Sequence, residues 1–371
     1  MEMHRRYDID WLRVIAIGLL LIYHVAIVFQ PWGIMIGFIT SEEPWVAVWA
    51  PMALLNVWRI PLLFFVSGMG VFLAIQQRTW KQLLLERLRR ILVPYLFGAA
   101  VIVPLGMLIW RRYNHFGPSY DINPGHLWFL GNIFVYVVLL SPLFFYLKKN
   151  DTGLLARGVR WMLGTPWGLI VVMLVNVAEA LLVNPVPYEL YAMTWHGFYL
   201  GLLAFVFGYC FMYCGEPFWQ VMLKWRWTFL FLSLSLYVIR LFYFELRAPL
   251  YLVAVESDSW IFAVLGFGHR YLNRPGRALS YPSEAAYPVY IVHIMVMFLS
   301  SWLVFTLEIA VQLQFVLVLV FTGIGCFIIF EMIRRVGVLR ILFGMKTSRF
   351  KIQDSKFNTP GSKVEAQNLE S

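Results

Sequence analysis

Ten long apolar stretches alternate with short polar segments, at about residues 11–30, 46–75, 92–110, 127–147, 166–184, 196–214, 227–246, 250–268, 284–305 and 311–333. A helix needs roughly 20 apolar residues to cross the hydrocarbon core of a bilayer, and each stretch is close to that length. The pattern predicts an all-α fold, a polytopic membrane helix bundle of about ten transmembrane helices. The second stretch is too long for one perpendicular crossing and is expected to tilt, or to break near Pro51 or Pro61. Beyond about Lys346 the chain turns polar and contains Pro360–Gly361. The reading is one membrane domain over 1–345, followed by a disordered cytoplasmic tail over 346–371.

Composition agrees and removes the soluble classes. Hydrophobic residues make up 61% of the 371 and charged residues only 13%. A water-soluble domain carries about 25% charged residues. The net charge of +10 has no soluble basic domain to carry it, which argues against a nucleic-acid partner. Cys210, Cys214 and Cys326 all fall inside apolar stretches and read as small buried residues, with no metal-ligand or disulfide pattern. The first thirty residues resemble a signal peptide. Asp8, Asp10 and Arg13 interrupt the apolar run, however, and no small-residue cleavage site follows, so a retained first helix is expected.

The placement of the basic residues sets the orientation. The segments after even-numbered stretches hold Arg78, Lys81, Arg87, Arg89 and Arg90, then Lys148, Lys149, Arg157 and Arg160, then Lys224 and Arg226, then Arg270, Arg274 and Arg277. The others hold Arg111, Arg112 and Arg247, with the acidic Glu42–Glu43. By the positive-inside rule the first set is cytoplasmic, and an even number of crossings puts both termini there.

Charges inside a span cost roughly 2.5–3.5 kcal/mol each on insertion scales, so they are functional candidates. In the first stretch Asp10, Arg13 and His24 share one helical stripe. Arg13 and His24 return to within about 20° of one another, roughly 16 Å apart along the axis. A cation near the cytoplasmic surface can hold an anionic donor, while an imidazole deeper in the bundle can take a hydroxyl proton. The plain alternative has Arg13 snorkelling to the headgroups and His24 bonded to a neighbouring helix. Arg59 lies at membrane depth without a local counter-charge, ahead of Phe64-Phe65-Val66-Ser67-Gly68; Ser67 and the glycines read as packing residues. Arg87 and Arg90, three apart, can present two guanidinium groups to phosphate oxygens, or simply bind anionic lipid. Arg240 and Glu245 align poorly with each other, and they and Glu179 call for interhelical partners.

Taken in order, these pieces resemble the acyltransferase-3 family of membrane acyltransferases. The carriers are Asp10-Trp-Leu-Arg13 with His24, Phe-Phe-Val-Ser67-Gly68, Arg87-x-x-Arg90 with Pro94-Tyr95, His126-Leu-Trp-Phe-Leu, and Tyr287-Pro-Val-Tyr290-Ile-Val-His293. Within the family, the Arg59–Gly68 stretch and His126-Leu-Trp-Phe-Leu look most like the branch of the periplasmic glucan succinyltransferase. The resemblance implies an O-acyltransferase that takes an acetyl or succinyl group from cytoplasmic acyl-CoA (acetyl-CoA or succinyl-CoA), with no metal. The acceptor would be a hydroxyl of an extracytoplasmic or lipid-linked glycan, in a bacterial inner membrane. His24 would then be the base or acyl carrier, with Arg13 and Asp10 in the catalytic set. Arg87, Arg90 and Arg59 would bind the donor, and His126 and His293 would bind the acceptor or serve as a second acid/base. The alternative of another class is an anion or proton-coupled transporter using His24 and His293. His115, His196 and His269 carry no assignment, and oligomeric state is not legible.

Overall fold

The computed structural model describes residues 5–345. Among these the chain is helical, with ten helices long and apolar enough to cross a membrane. We label them α1 (Tyr7–Val28), α2 (Val46–Gln76), α3 (Trp80–Tyr113), α4 (Gly125–Lys149), α5 (Pro166–Val183), α6 (Trp195–Cys214), α7 (Glu216–Phe242), α8 (Leu250–Tyr271), α9 (Ala278–Val304) and α10 (Val311–Arg335). All ten expected spans are present, and the protein is an integral membrane helix bundle. The expected tail over 346–371 lies outside the described residues. The three cysteines are free and buried.

The boundaries differ where charge had been read as loop. α3 begins at Trp80 and α7 at Glu216, so Arg87, Arg90, Lys224 and Arg226 sit on helical extensions. Thr79 explains the first case: its hydroxyl accepts from the Gln82 N–H while the Gln82 side chain accepts from the Thr79 N–H, a complete capping box. The segment after α4 forms a surface helix, Leu154–Leu163. It exposes Leu154, Leu155 and Trp161 beside Arg157, as a helix lying in the headgroup layer would.

α2 does not break at Pro51 or Pro61; it runs unbroken from Trp49 to Gln76 through Pro61. Proline removes the N–H that would satisfy the carbonyl four residues earlier, and hydrocarbon offers no water to replace it. The bundle replaces it with hydroxyls. The Val57 carbonyl, freed by Pro61, accepts from Tyr191 at 2.9 Å and Ser257 at 2.7 Å. In α3 the Ala100 carbonyl, freed by Pro104, accepts from the Tyr120 hydroxyl at 2.6 Å. In α4 the Val138 carbonyl, freed by Pro142, accepts from Ser141 at 3.3 Å.

α2 occupies the centre, packed on α1, α6 and α8. It meets α6 through glycine. A Cβ on Gly68 would collide with the Phe205 carbonyl, and one on Gly208 with the Phe65 carbonyl. The small residues flanking Ser67 thus permit backbone contact. Ser67 itself donates to the Leu63 carbonyl at 2.7 Å, one turn back.

This close approach gives a prediction with two signs. Gly68→Ala and Gly208→Ala should each lower the detergent thermal midpoint, at a cost of about 1–3 kcal/mol. Gly323→Ala, with open space around it in mid-helix, should leave the midpoint unchanged or raise it. Thermal unfolding of the three variants beside the parent protein checks this.

Candidate active site

Three histidines far apart in sequence meet inside the bundle. His24 comes from α1, His126 from the first turn of α4, and His293 from mid-α9. The His24 and His293 rings stack with centroids 4.9 Å apart, and His126 stands edge-on to His293, also at 4.9 Å. Phe38, from the loop between α1 and α2, covers the other side of His24 at 5.8 Å.

The hydrogen bonds order the protons. His293 Nδ1 lies 2.7 Å from the Tyr290 carbonyl, which can only accept, so Nδ1 carries the hydrogen. In the neutral ring Nε2 is then a lone pair. It lies 2.9 Å from His24 Nδ1, which must donate to it. The remaining nitrogen of His24, Nε2, is left as an unshared base. A backbone carbonyl in α9 therefore fixes the tautomer of a histidine in α1 through a second histidine, as the partner of a catalytic imidazole commonly does.

His293 is 1% exposed and both its ring nitrogens are engaged, so it faces His24 rather than open space. His126 is partly exposed. Its Nε2 donates to the Tyr290 and Ile291 carbonyls at 3.1 Å each, and the Tyr290 hydroxyl donates back to the His126 carbonyl. This reciprocal bond ties the start of α4 to the turn that carries His293.

The Arg13 stripe ends at the basic face. Arg13 reaches Asp10 at 3.4 Å, and Asp10 also holds Arg5 at 3.0 Å. The Arg13 guanidinium lies along Gly70 of α2, where a Cβ would stand 3.7 Å from it, and 38% of the side chain remains exposed. Arg87 and Arg90 stand nearby on α3. Glu86 pairs with Arg90 at 3.0 Å and with Arg78 at 2.9 Å, while Arg87 has no carboxylate of its own and its Nε no hydrogen-bond partner. Arg90 sits in a π-helical turn, Leu88–Leu92, whose wider winding precedes Pro94. The Tyr287 hydroxyl of α9 is buried without a partner, within the field of Arg87 and Arg90. Among the described residues, Arg5, Arg13, Arg78, Arg87 and Arg90 have Asp10 and Glu86 as their carboxylate partners, an arrangement suited to phosphate groups. Among the described residues no group of three His, Cys, Asp or Glu side chains could hold a metal ion.

Arg59 does not join this mouth. It lies on α2 at the depth of His24, each about 25 Å of helix rise from the basic-face end of its helix. The guanidinium rests on the Tyr23 ring at 4.1 Å, and that ring is 5.6 Å from the His24 ring. Trp49 borders Tyr23 at 5.6 Å and Trp32 at 4.7 Å, forming an aromatic wall toward the opposite face.

Glu256 and Asp258 are not among the residues expected from the sequence, although two carboxylates stand in the middle of the eighth apolar stretch. Glu256 binds Arg240 through both oxygens, at 2.6 and 2.9 Å, and Glu189 adds a third contact at 3.4 Å. Arg240 thus finds the interhelical partners expected of it, while Glu245 sits in the turn after α7. Asp258 accepts from Asn176 at 2.8 Å. Unassigned His196 is fully buried against Glu179 at 3.0 Å, and unassigned His269 lies between Asp8 and Arg6, 3.2 Å from each. Burial raises the Glu189 carboxyl above the usual carboxylate range, an effect that Arg240 opposes.

No curated protein and no solved structure matches the chain. A family model does: residues 6–331 match the acyltransferase domain. That interval begins before the Asp10–Arg13 stripe and ends after His293, so it takes in Arg13, Arg78, Arg87 and Arg90 of the basic mouth, the histidine cluster and the helices that hold them. The chain belongs to the acyltransferase-3 family and is a membrane acyltransferase.

Proposed function

We propose that the protein is an O-acyltransferase that moves an acetyl or succinyl group from cytoplasmic acyl-CoA to a hydroxyl of an extracytoplasmic or lipid-linked glycan. The observation that carries this reading is the ordered pair His24–His293, which leaves His24 Nε2 as a free base below a cationic mouth. Arg13, Arg87 and Arg90 would hold the donor phosphates at the basic face, taken as cytoplasmic from its Lys and Arg content. The uncharged arm of the donor would run along the α1 stripe to place its thioester at His24. The acceptor would approach from the opposite face along Trp32, Trp49 and Tyr23, whose flat rings suit a sugar.

The chemistry follows from the tautomer. As the acceptor oxygen attacks the thioester carbonyl, its proton passes to His24 Nε2. The tetrahedral intermediate collapses by breaking the carbon–sulfur bond, and the departing thiolate takes that proton. The products are an ester and a free thiol, and His24 returns to its starting form. Through the Nδ1 hydrogen bond, His293 holds the ring in the tautomer that exposes Nε2, which makes it a positioning residue. Family membership and a base presented on one nitrogen favour transfer over the transport alternative.

Three outcomes test this reading. His24→Ala should lower acyl transfer by at least about 10²-fold without changing the thermal midpoint by more than a few degrees. His293→Leu should lower kcat by roughly 10- to 100-fold, and His293→Gln, which keeps an acceptor near the Nε2 position, should recover part of it; steady-state kinetics of purified protein with acetyl-CoA and a glycan acceptor reads both. Calorimetric titration of CoA should show binding weakened by roughly 10-fold or more in Arg87→Ala/Arg90→Ala, because charge-assisted bonds of this kind contribute about 1.5–3 kcal/mol each. Full turnover by His24→Ala would remove the mechanism while leaving the family intact.

A further inference from the structure

Among the described residues two arginines are wholly buried in the bundle, Arg59 and Arg240, each 0% exposed. Their surroundings are opposite. Arg240 has the Glu256 carboxylate on its fork, Glu189 beside it and the Ala53 carbonyl at 2.9 Å. Among the described residues Arg59 has no hydrogen-bond partner at Nε, Nη1 or Nη2 and no ion pair, and its guanidinium lies over the Tyr23 ring at 4.1 Å. A guanidinium in a low-dielectric interior without a counter-ion is costly, and removing an uncompensated buried charge commonly stabilises a fold. The chain shows at Arg240 that it can supply carboxylates to a buried arginine. At Arg59 it supplies none.

We infer that Arg59 receives a carboxylate of the substrate, the free end of a short dicarboxylic acyl group such as succinyl. This deepens the proposed function and rests on it. Guanidinium and carboxylate match through two parallel bonds, and no nitrogen of the Arg59 fork has a hydrogen-bond partner within the protein. Depth assigns the anion to the acyl end of the donor: Arg59 stands level with His24, whereas Arg13, among the cations suited to donor phosphates, lies roughly 16 Å of helix rise away toward the basic face. One aromatic side chain, Tyr23, separates the guanidinium from the His24 ring, at 4.1 Å and 5.6 Å respectively. A thioester carbonyl at His24 with a carboxylate two methylenes further on spans such a gap. Tyr23, which stands between Arg59 and His24, and His24 itself are both partly exposed. An acidic sugar of the acceptor could supply the same chemistry, so the donor must be tested alone.

The test is binding of acetyl-CoA and succinyl-CoA to detergent-purified protein without acceptor, by calorimetry, for the parent protein and Arg59→Met. The parent should bind succinyl-CoA roughly 10- to 100-fold more tightly than acetyl-CoA, the range expected of a charge-assisted pair. In Arg59→Met the ratio should fall to near one. Equal binding of the two donors by the parent protein overturns the proposal without needing any variant, and if acetyl-CoA still binds and is transferred, the acyltransferase reading stands. A preference that survives in Arg59→Met also overturns it. A parent protein that prefers acidic acceptors but not succinyl-CoA would move the carboxylate to the acceptor and overturn the donor assignment. Failure of both donors to bind would remove this inference together with the proposed function.

Discussion

No polar group can be left to the solvent when the solvent is hydrocarbon, and that constraint organises this bundle. Proline in a transmembrane helix frees a carbonyl, and here the carbonyls freed by Pro61, Pro104 and Pro142 each accept from a side-chain hydroxyl. The most consequential is at Val57, because its two donors come from different places: Tyr191 from the loop before α6 and Ser257 from α8. With Tyr237 on the Ala50 carbonyl and Arg240 on the Ala53 carbonyl, they form a polar seam down one side of α2. That seam fixes α2 against its neighbours, and α2 carries Arg59, the glycine contact with α6 and the Gly70 surface on which Arg13 lies.

The same constraint shapes the histidine cluster. His24 and His293 satisfy one another, and the chain of donors ends on a backbone carbonyl rather than on a carboxylate. The charged or titratable side chains around His24 are His293, Arg59, His126 and Tyr23, with no carboxylate among them. An imidazolium formed at His24 would meet no carboxylate among the described residues that bear on it. A proton taken there is best passed on at once, and a thiolate leaving group formed in the same step is its natural recipient. A carbonyl-terminated pair thus suits thioester chemistry, where the leaving group needs little help, better than amide chemistry, where a protonated base must wait for a poor leaving group.

Much of this was legible in the sequence because hydrocarbon thickness imposes a length on every span. The ten apolar stretches became ten helices, and the Asp10–Arg13–His24 stripe is a face of one unbroken helix. The contact between His24 and His293 joins residues 269 apart, and nothing in periodicity reports it. Hydropathy also cannot place the start of a helix that continues beyond the membrane, which is why α3 and α7 begin earlier than expected. Glu256 and Asp258 are a different kind of miss. Two acids in an apolar run carried the signal, but their partners Arg240 and Asn176 lie on other helices and only the fold brings them together.

The contrast between the two buried arginines separates scaffold from site. Arg240, ringed by Glu256, Glu189 and the Ala53 carbonyl, has every feature of a structural cation: fixed geometry, satisfied donors and contacts joining α2, α7, α8 and the loop before α6. Such a group can be exchanged for apolar residues without losing chemistry, because its interactions are complete within the protein. Arg59 has the opposite character. Its donors have no partner within the protein, the Tyr23 ring beside it adjoins His24, and its depth matches that of His24. Sites of function are where a fold leaves a rule unsatisfied. Where Arg240 is matched wholly within the protein, the guanidinium of Arg59 beside the histidine pair is not, and a substrate carboxylate, as proposed, would complete it.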